Sequence, residues 1–259
     1  MKIKFFITLL SIAFLLSNCE KDTYCVYEQG DKVEQEYEVS GFDGIHVKNM
    51  AKVHLTQSDT FSVKIKGYQS IIDNLIVYVK DNTLVIENDK CANQSLEIIV
   101  RVSMPFVKDL YLSGTGGFLI NPFDNFEDLF VSFSGSGYIY NLKDTMRLDK
   151  LHTTISGYGY LSLYLVANEL DIDVSGSAYV IALGNANSIK FSLAGSTSYH
   201  GFGLQTKFSD IIISGEGNLE VFASEKLDIN FSGSGKVFYK GYPTITSRIT
   251  GEVEIIDSN

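Results

Sequence analysis

From residue 108 onward, apolar and polar positions alternate in a pattern that restarts about every twenty residues. A Ser-Gly pair or close variant marks each restart, with its glycine at Gly114, Gly135, Gly157, Gly176, Gly195, Gly215, Gly233 and Gly251, at intervals of 18 to 22 residues. Two positions before the glycine stand Leu112, Phe133, Ile155, Val174, Leu193, Ile213, Phe231 and Ile249. Four positions after it stand Phe118, Ile139, Leu161, Val180, Tyr199, Leu219, Val237 and Ile255, again apolar or aromatic throughout. The position four before the glycine is mostly apolar (Leu110, Val131, Ile172, Phe191, Ile211, Ile229), whereas the one between is mostly polar (Ser132, Thr154, Asp173, Ser192, Asn230, Arg248). Period-two alternation belongs to a strand with one face buried and one wet. Each copy therefore reads as strand, glycine corner, strand and a return of variable length.

One copy cannot bury its own apolar face, but copies stacked on one another can. The pattern predicts an all-β, single-stranded β-helix (β-solenoid) with turns of about 20 residues and a Ser-Gly-x-Gly corner. Equivalent residues of successive turns would lie about 4.8 Å apart, so eight corners span roughly 35–40 Å. The corner glycines are expected because a side chain there would force an unfavourable φ. A column of Ser113, Ser134, Ser156, Ser175, Ser214 and Ser232 beside them is expected to hydrogen-bond along the stack. Five positions before the glycine, Asp171, Lys190 and Asp210 follow one another in consecutive turns, an alternation of sign that favours stacking.

Residues 37–107 are less regular, with short strands expected at Gly44–Lys48, Lys52–Thr56, Phe61–Lys66, Leu75–Lys80, Thr83–Glu87 and Leu96–Val102, and a hairpin turn at Asp81-Asn82. No Pro-rich or Gly-rich linker separates them from 108–259, so residues 37–259 read as one β-helical domain whose opening turns are irregular. Residues 19–36 are polar and read as a tether.

Residues 1–18 are an address. Lys2 and Lys4 precede an apolar run from Phe5 to Leu16, too short for a permanent membrane span but suited to a secretion signal. The run closes on Leu16-Ser17-Asn18-Cys19, which resembles a bacterial lipobox with Cys19 as the lipidated residue; Asn18 stands where Gly or Ala is usual. The alternative is an ordinary signal peptide with an incidental cysteine. Acylation of Cys19 would give stable membrane anchoring, since each buried CH₂ contributes roughly 0.8 kcal/mol. Cys25 and Cys91 are then an even pair in a non-reducing compartment, either disulfide-bonded or two separate thiols.

A formal charge of −10 argues against nucleic-acid binding, which needs a basic stripe to displace phosphate counterions. The chain has no nucleophile elbow, no phosphate-binding Gly-x-x-x-x-Gly-Lys and no His-Glu-x-x-His. His46, His54, His152 and His200 are scattered without the spacing of a zinc site, so no metal or cofactor is expected and each reads as a strand-surface residue. Asp171 and Asp173 point to the same side of one strand at about 7 Å, within the range of a glycosidase pair. They keep a carbohydrate-active lyase or hydrolase as the alternative to a solvated acidic face.

The outward feature of most interest is aromatic. Tyr138, Tyr160 and Tyr179 lie three positions after the glycine in consecutive turns, out of phase with the buried column, with Tyr158 and Tyr140 beside them. Exposed aromatics of this kind form sugar- or protein-binding platforms, and also form ladders that only stiffen a sheet. This face is the candidate ligand surface.

Gly41-Phe42-Asp43-Gly44-Ile45-His46-Val47, Lys52-Val53-His54-Leu55-Thr56-Gln57-Ser58-Asp59 and the train starting Ser103-Met104-Pro105-Phe106-Val107-Lys108-Asp109-Leu110-Tyr111-Leu112-Ser113-Gly114 together resemble the head-GIN domain family of bacterial auto-transporter adhesins. The likeness covers roughly residues 38–240. It implies a right-handed β-helix and an envelope lipoprotein, and carries over no catalytic residues. The expectation is a non-catalytic, lipid-anchored adhesin or binding surface, at the outer membrane and either surface-exposed or periplasmic, whose partner is a glycan or a host-matrix protein. A purely structural envelope component is the third reading.

Overall fold

The alternation is realised as two parallel sheets joined at the glycine corners, a β-solenoid of about 7 turns. The computed structural model describes residues 25–259 except 94–96, 122, 124–125 and 142–144. The signal 1–18 and Cys19 lie outside the described residues.

The opening region contains β1 (Lys32–Tyr37), β2 (Gly44–Val47), β3 (Lys52–Gln57), β4 (Ser62–Tyr68), the single-turn helix α1 (Gln69–Ile72), β5 (Leu75–Lys80), β6 (Thr83–Asn88) and β7 (Ile99–Met104). The regular part continues with β8 (Asp109–Leu112), β9 (Gly117–Ile120), β10 (Phe126–Phe133), β11 (Ser136–Asn141), β12 (Met146–Ile155), β13 (Tyr158–Val174) and β14 (Ser177–Leu193). It ends with β15 (Ser196–His200), β16 (Leu204–Ile213), β17 (Glu216–Phe222), β18 (Lys226–Phe231), β19 (Ser234–Lys240), β20 (Thr244–Ile249) and β21 (Glu252–Asp257). β13 and β14 run through the return of their turns without interruption, so each contributes to both sheets.

The sheet before the corner runs β5–β6–β2–β8–β10–β12–β13–β14–β16–β18–β20. The sheet after it runs β1–β4–β7–β3–β9–β11–β13–β14–β15–β17–β19–β21. Register follows the glycine alignment, with Val131 paired to Thr153, Thr153 to Ile172, Ile172 to Phe191 and Phe191 to Ile211. The columns expected to be apolar are buried: Phe133, Ile155, Val174, Leu193, Ile213 and Phe231 are each at most 2% exposed. Full burial of such a side chain contributes roughly 1.5–3 kcal/mol, so the stacked columns are the main source of cohesion. In the last turn the pattern opens, with Ile249 41% and Ile245 37% exposed.

The corners need glycine for a different reason from the one expected. Of the eight corner glycines only Gly251 has a positive φ. At the others the constraint is close approach between turns: a Cβ on Gly135, Gly157, Gly176, Gly195, Gly215 or Gly233 would land on the carbonyl oxygen of the corner glycine one turn before. Those carbonyls accept backbone hydrogen bonds instead, from Tyr158 N to Gly135 O (2.9 Å) and Ser177 N to Gly157 O (3.0 Å), so the ladder continues around the bend. The serine column also behaves differently. Ser156, Ser214 and Ser232 donate through Oγ to the backbone carbonyls of Phe133, Leu193 and Ile213 in the preceding turn, rather than to one another.

The described part of the expected tether is docked onto the body. β1 pairs antiparallel with β4, Val26 bridges to Ala92, and Cys25 is disulfide-bonded to Cys91 with Cα atoms 4.6 Å apart. The apolar positions Val33 and Tyr37 pack on the core, which is why a segment polar in composition still adheres. The other edge of the opening region is the β5–β6 hairpin, whose Asp81 and Asn82 adopt φ of 49° and 58°. That is the left-handed pair of a type I′ turn, matched to the twist of the strands.

Candidate functional site

Stacking in register brings Tyr138, Tyr160 and Tyr179 into one column on the outer surface of the second sheet, with Tyr158 and Tyr140 in the columns on either side. Tyr138 pairs with Tyr160, Tyr160 with Tyr179, and Tyr158 with Ser177. The Tyr160 and Tyr179 rings are stacked at 5.7 Å with 4° between planes, and Tyr138 stacks on Tyr140 along its own strand at 5.4 Å. Tyr138 leans across the backbone of Gly117, the position one turn earlier, where any Cβ would collide with its ring. Burial, and secondarily the neighbouring Tyr140, pushes the Tyr138 phenol above the usual tyrosine range. Tyr158 is 55% and Tyr179 37% exposed.

Two further members of this surface escape the three-turn column. His200 lies 5.0 Å from the Tyr179 ring and 3.2 Å (Nδ1 to Oε2) from Glu220, closing the aromatic row with an imidazole–carboxylate contact. Tyr164, 46% exposed, continues the outward phase along β13; the Asn141 side chain pairs with its backbone in both directions at 2.7 Å. Continuing the period-two count past the corner would have found both.

A second outward row crosses the first sheet. His46, Tyr111, Phe130 and His152 form a chain of ring contacts at 5.7, 5.7 and 5.2 Å. Beyond His152 the row turns charged with Asp171, Lys190, Asp210 and Asp228, in register one above the next. The alternating charges do stack, but Lys190 Nζ to Asp171 Oδ1 is 4.0 Å, the loose limit of an ion pair between partly exposed groups, and contributes little. His152 is more than a strand-surface residue: its Nδ1 is 3.2 Å from Asp171 Oδ2, and donor atoms of His152, Asp171 and Asp173 all lie within 4.8 Å of one another. The Asp171 and Asp173 carboxylates thus approach more closely than their backbone spacing of about 7 Å.

Residues 41–243 match the family model described as "Putative auto-transporter adhesin, head GIN domain". The chain belongs to the head GIN domain family. A solved structure described as a "putative adhesin" from Parabacteroides distasonis is 25% identical, with a TM-score of 0.76, over 89% of this chain and 99% of that one. A "putative lipid binding protein" from the same organism is 23% identical with a TM-score of 0.78, over 90% of this chain and 99% of that one. A "putative adhesin" from Parabacteroides merdae is 18% identical with a TM-score of 0.76, over 90% of this chain and 99% of that one. The last two likenesses show the shared fold. No curated protein matches the chain.

Membership of the head GIN domain family points to an adhesin-like role at the cell surface or envelope. Among the described residues, no helix is long and apolar enough to cross a membrane. In this head GIN protein the tyrosine row and the His–Asp row occupy different sheets, so whatever each contacts, it does so on a separate face.

Proposed function

We propose that this head GIN protein is a lipid-anchored, non-catalytic adhesin of the cell envelope. Cys19 carries the lipid, and the tyrosine face of β11, β13, β14 and β15 is the contact surface for a glycan or a host-matrix protein. The observation that carries this reading is the parallel Tyr160–Tyr179 stack, flanked by the exposed Tyr158 and by Tyr138 and Tyr140. A row of stacked tyrosines supplies apolar area and hydroxyl groups at low entropic cost. Tyrosines that served only to stiffen the stack would have their rings covered by neighbours, whereas Tyr158 and Tyr179 are more than a third exposed.

The test is a Tyr158→Ser/Tyr160→Ser/Tyr179→Ser variant measured on a glycan array and a panel of matrix proteins. All three side chains lie at the surface, so the variant keeps its melting behaviour close to the parent, and binding falls at least about tenfold, as for loss of aromatic anchors. A folded variant that keeps all parental binding removes the tyrosine face from the account. Anchoring is tested separately: Cys19→Ala moves the protein out of the membrane fraction, and protease shaving of intact cells removes a surface-displayed head.

A further inference from the structure

We propose that His152, Asp171 and Asp173 form a binding site for one divalent transition cation of the zinc class. His152 and the Asp171/Asp173 pair, which begins 19 residues further along the chain, meet because β12 and β13 stack in register. His152 sits directly opposite Asp171, and Thr154 opposite Asp173. Asp171 and Asp173, two apart on β13, project to the same outer side. One imidazole and two carboxylates result, with donor atoms all within 4.8 Å.

The surroundings orient these groups. Phe130 stacks on the His152 ring at 5.2 Å and 21°, bracing the imidazole from one face. Asp171 Oδ2 faces His152 Nδ1 at 3.2 Å, while Asp171 Oδ1 is buried without a hydrogen-bond partner. The nearest cation is Lys190 Nζ, 4.0 Å away on a half-exposed, flexible stem. A buried carboxylate oxygen left unsatisfied costs free energy that a bound cation would recover. A metal bonded at about 2.0–2.2 Å sets its ligands at most about 4.4 Å apart, so small side-chain rotations complete the set.

The donor set selects the ion. Imidazole nitrogen suits zinc, nickel and related ions, while calcium takes six to eight oxygens, more than this face supplies. Two carboxylates with a neutral imidazole balance a dipositive ion, and three protein ligands leave a coordination position for water or an external donor. His200 and Glu220 provide a natural control: they are also paired in register, at 3.2 Å, on the other sheet and outside any such triad among the described residues.

Calorimetric titration of ZnCl₂ into the purified full chain, with CaCl₂ in parallel, tests the site. The expected result is one zinc ion per chain, at least about tenfold weaker in both His152→Gln and Asp173→Asn and unchanged in His200→Gln. Melting curves establish that each variant is folded, and either variant alone suffices if the other is not. Absence of saturable zinc binding below about 1 mM, undiminished binding in the folded His152 and Asp173 variants, an equal loss in His200→Gln, or calcium binding of equal strength would each overturn the assignment.

Discussion

The opening region and the regular repeats fill the same two-sheet frame by different means. In residues 108–259 each turn but the last is covered by the next in parallel register, and the corner glycines let the backbones touch. In the opening region the sheets end in antiparallel partners, β1 on β4 and β5 on β6, and the Cys25–Cys91 disulfide ties down the first described residues. A repeating stack has no intrinsic end, so its first turn must be covered by something that is not another copy. Antiparallel edges and a cross-link do this at the amino-terminal side. The lesson is that cohesion is periodic in one part and individually engineered in the other, and the two should respond differently to the same kind of change.

The largest contrast lies between two glycines. In Gly176→Ala the new methyl meets the Gly157 carbonyl oxygen of the adjacent turn, backbone against backbone, whereas in Gly67→Ala on β4 the nearest atom is Ile72 Cδ1 at 3.4 Å. Urea unfolding is expected to show a loss of about 4 kcal/mol or more for Gly176→Ala and a change within about 1 kcal/mol for Gly67→Ala. Similar losses at both sites would erase the distinction between the regions.

Next in size is the disulfide, which closes a loop with a sequence separation of 66 residues. Replacing Cys91 with Ser, or reducing the bond, is expected to cost about 2–4 kcal/mol. Hydrogen exchange should quicken in β1 and β4 before β13 and β14. Uniform quickening along the solenoid would show that the opening region does not respond as a separate unit.

The smallest expected effect is on pH dependence. Burial lowers the His46 and His54 basicity, helped by Lys48 at the first and by Arg101 and Lys52 at the second, with Glu87 opposing at His46. The unfolded chain therefore takes up protons near pH 6.5 that the folded chain resists. Their contribution to stability is full above that pH and is lost as the pH falls through the lowered folded values. A His46→Gln/His54→Gln variant should show a flatter melting temperature between pH 7.5 and 5.5 than the parent, as read by calorimetry. An unchanged slope would remove these two residues as its source.

The same contrast explains what could be read in advance. Columns such as Phe133–Ile155–Val174–Leu193 were legible because the period repeats one physical demand, burial, turn after turn. The turn at Asp81-Asn82 was legible because the chemistry of two residues determines it locally. Docking of residues 25–37 was not, because it rests on three apolar positions, Val26, Val33 and Tyr37, and one cysteine amid polar neighbours. The tyrosine column followed from the alignment, but His200 and Tyr164 lie further along the same strand phase than the columns compared. The His152–Asp171–Asp173 group was hidden for a related reason: a motif search looks along the chain, whereas this group forms across it. Likewise, glycine at the corners is legible as a pattern, but its cause, contact with the turn below, is visible only in three dimensions.

Spin-label distances along the corner column test the central claim most directly. With labels at Ser134 paired with Ser156, Ser214 or Ser232, stacking predicts mean separations that grow by about 4.8 Å per turn, reaching roughly 24 Å for the last pair, five turns away. Distances that fail to lengthen with turn number, or that place Ser134 and Ser156 farther apart than Ser134 and Ser232, would contradict a solenoid.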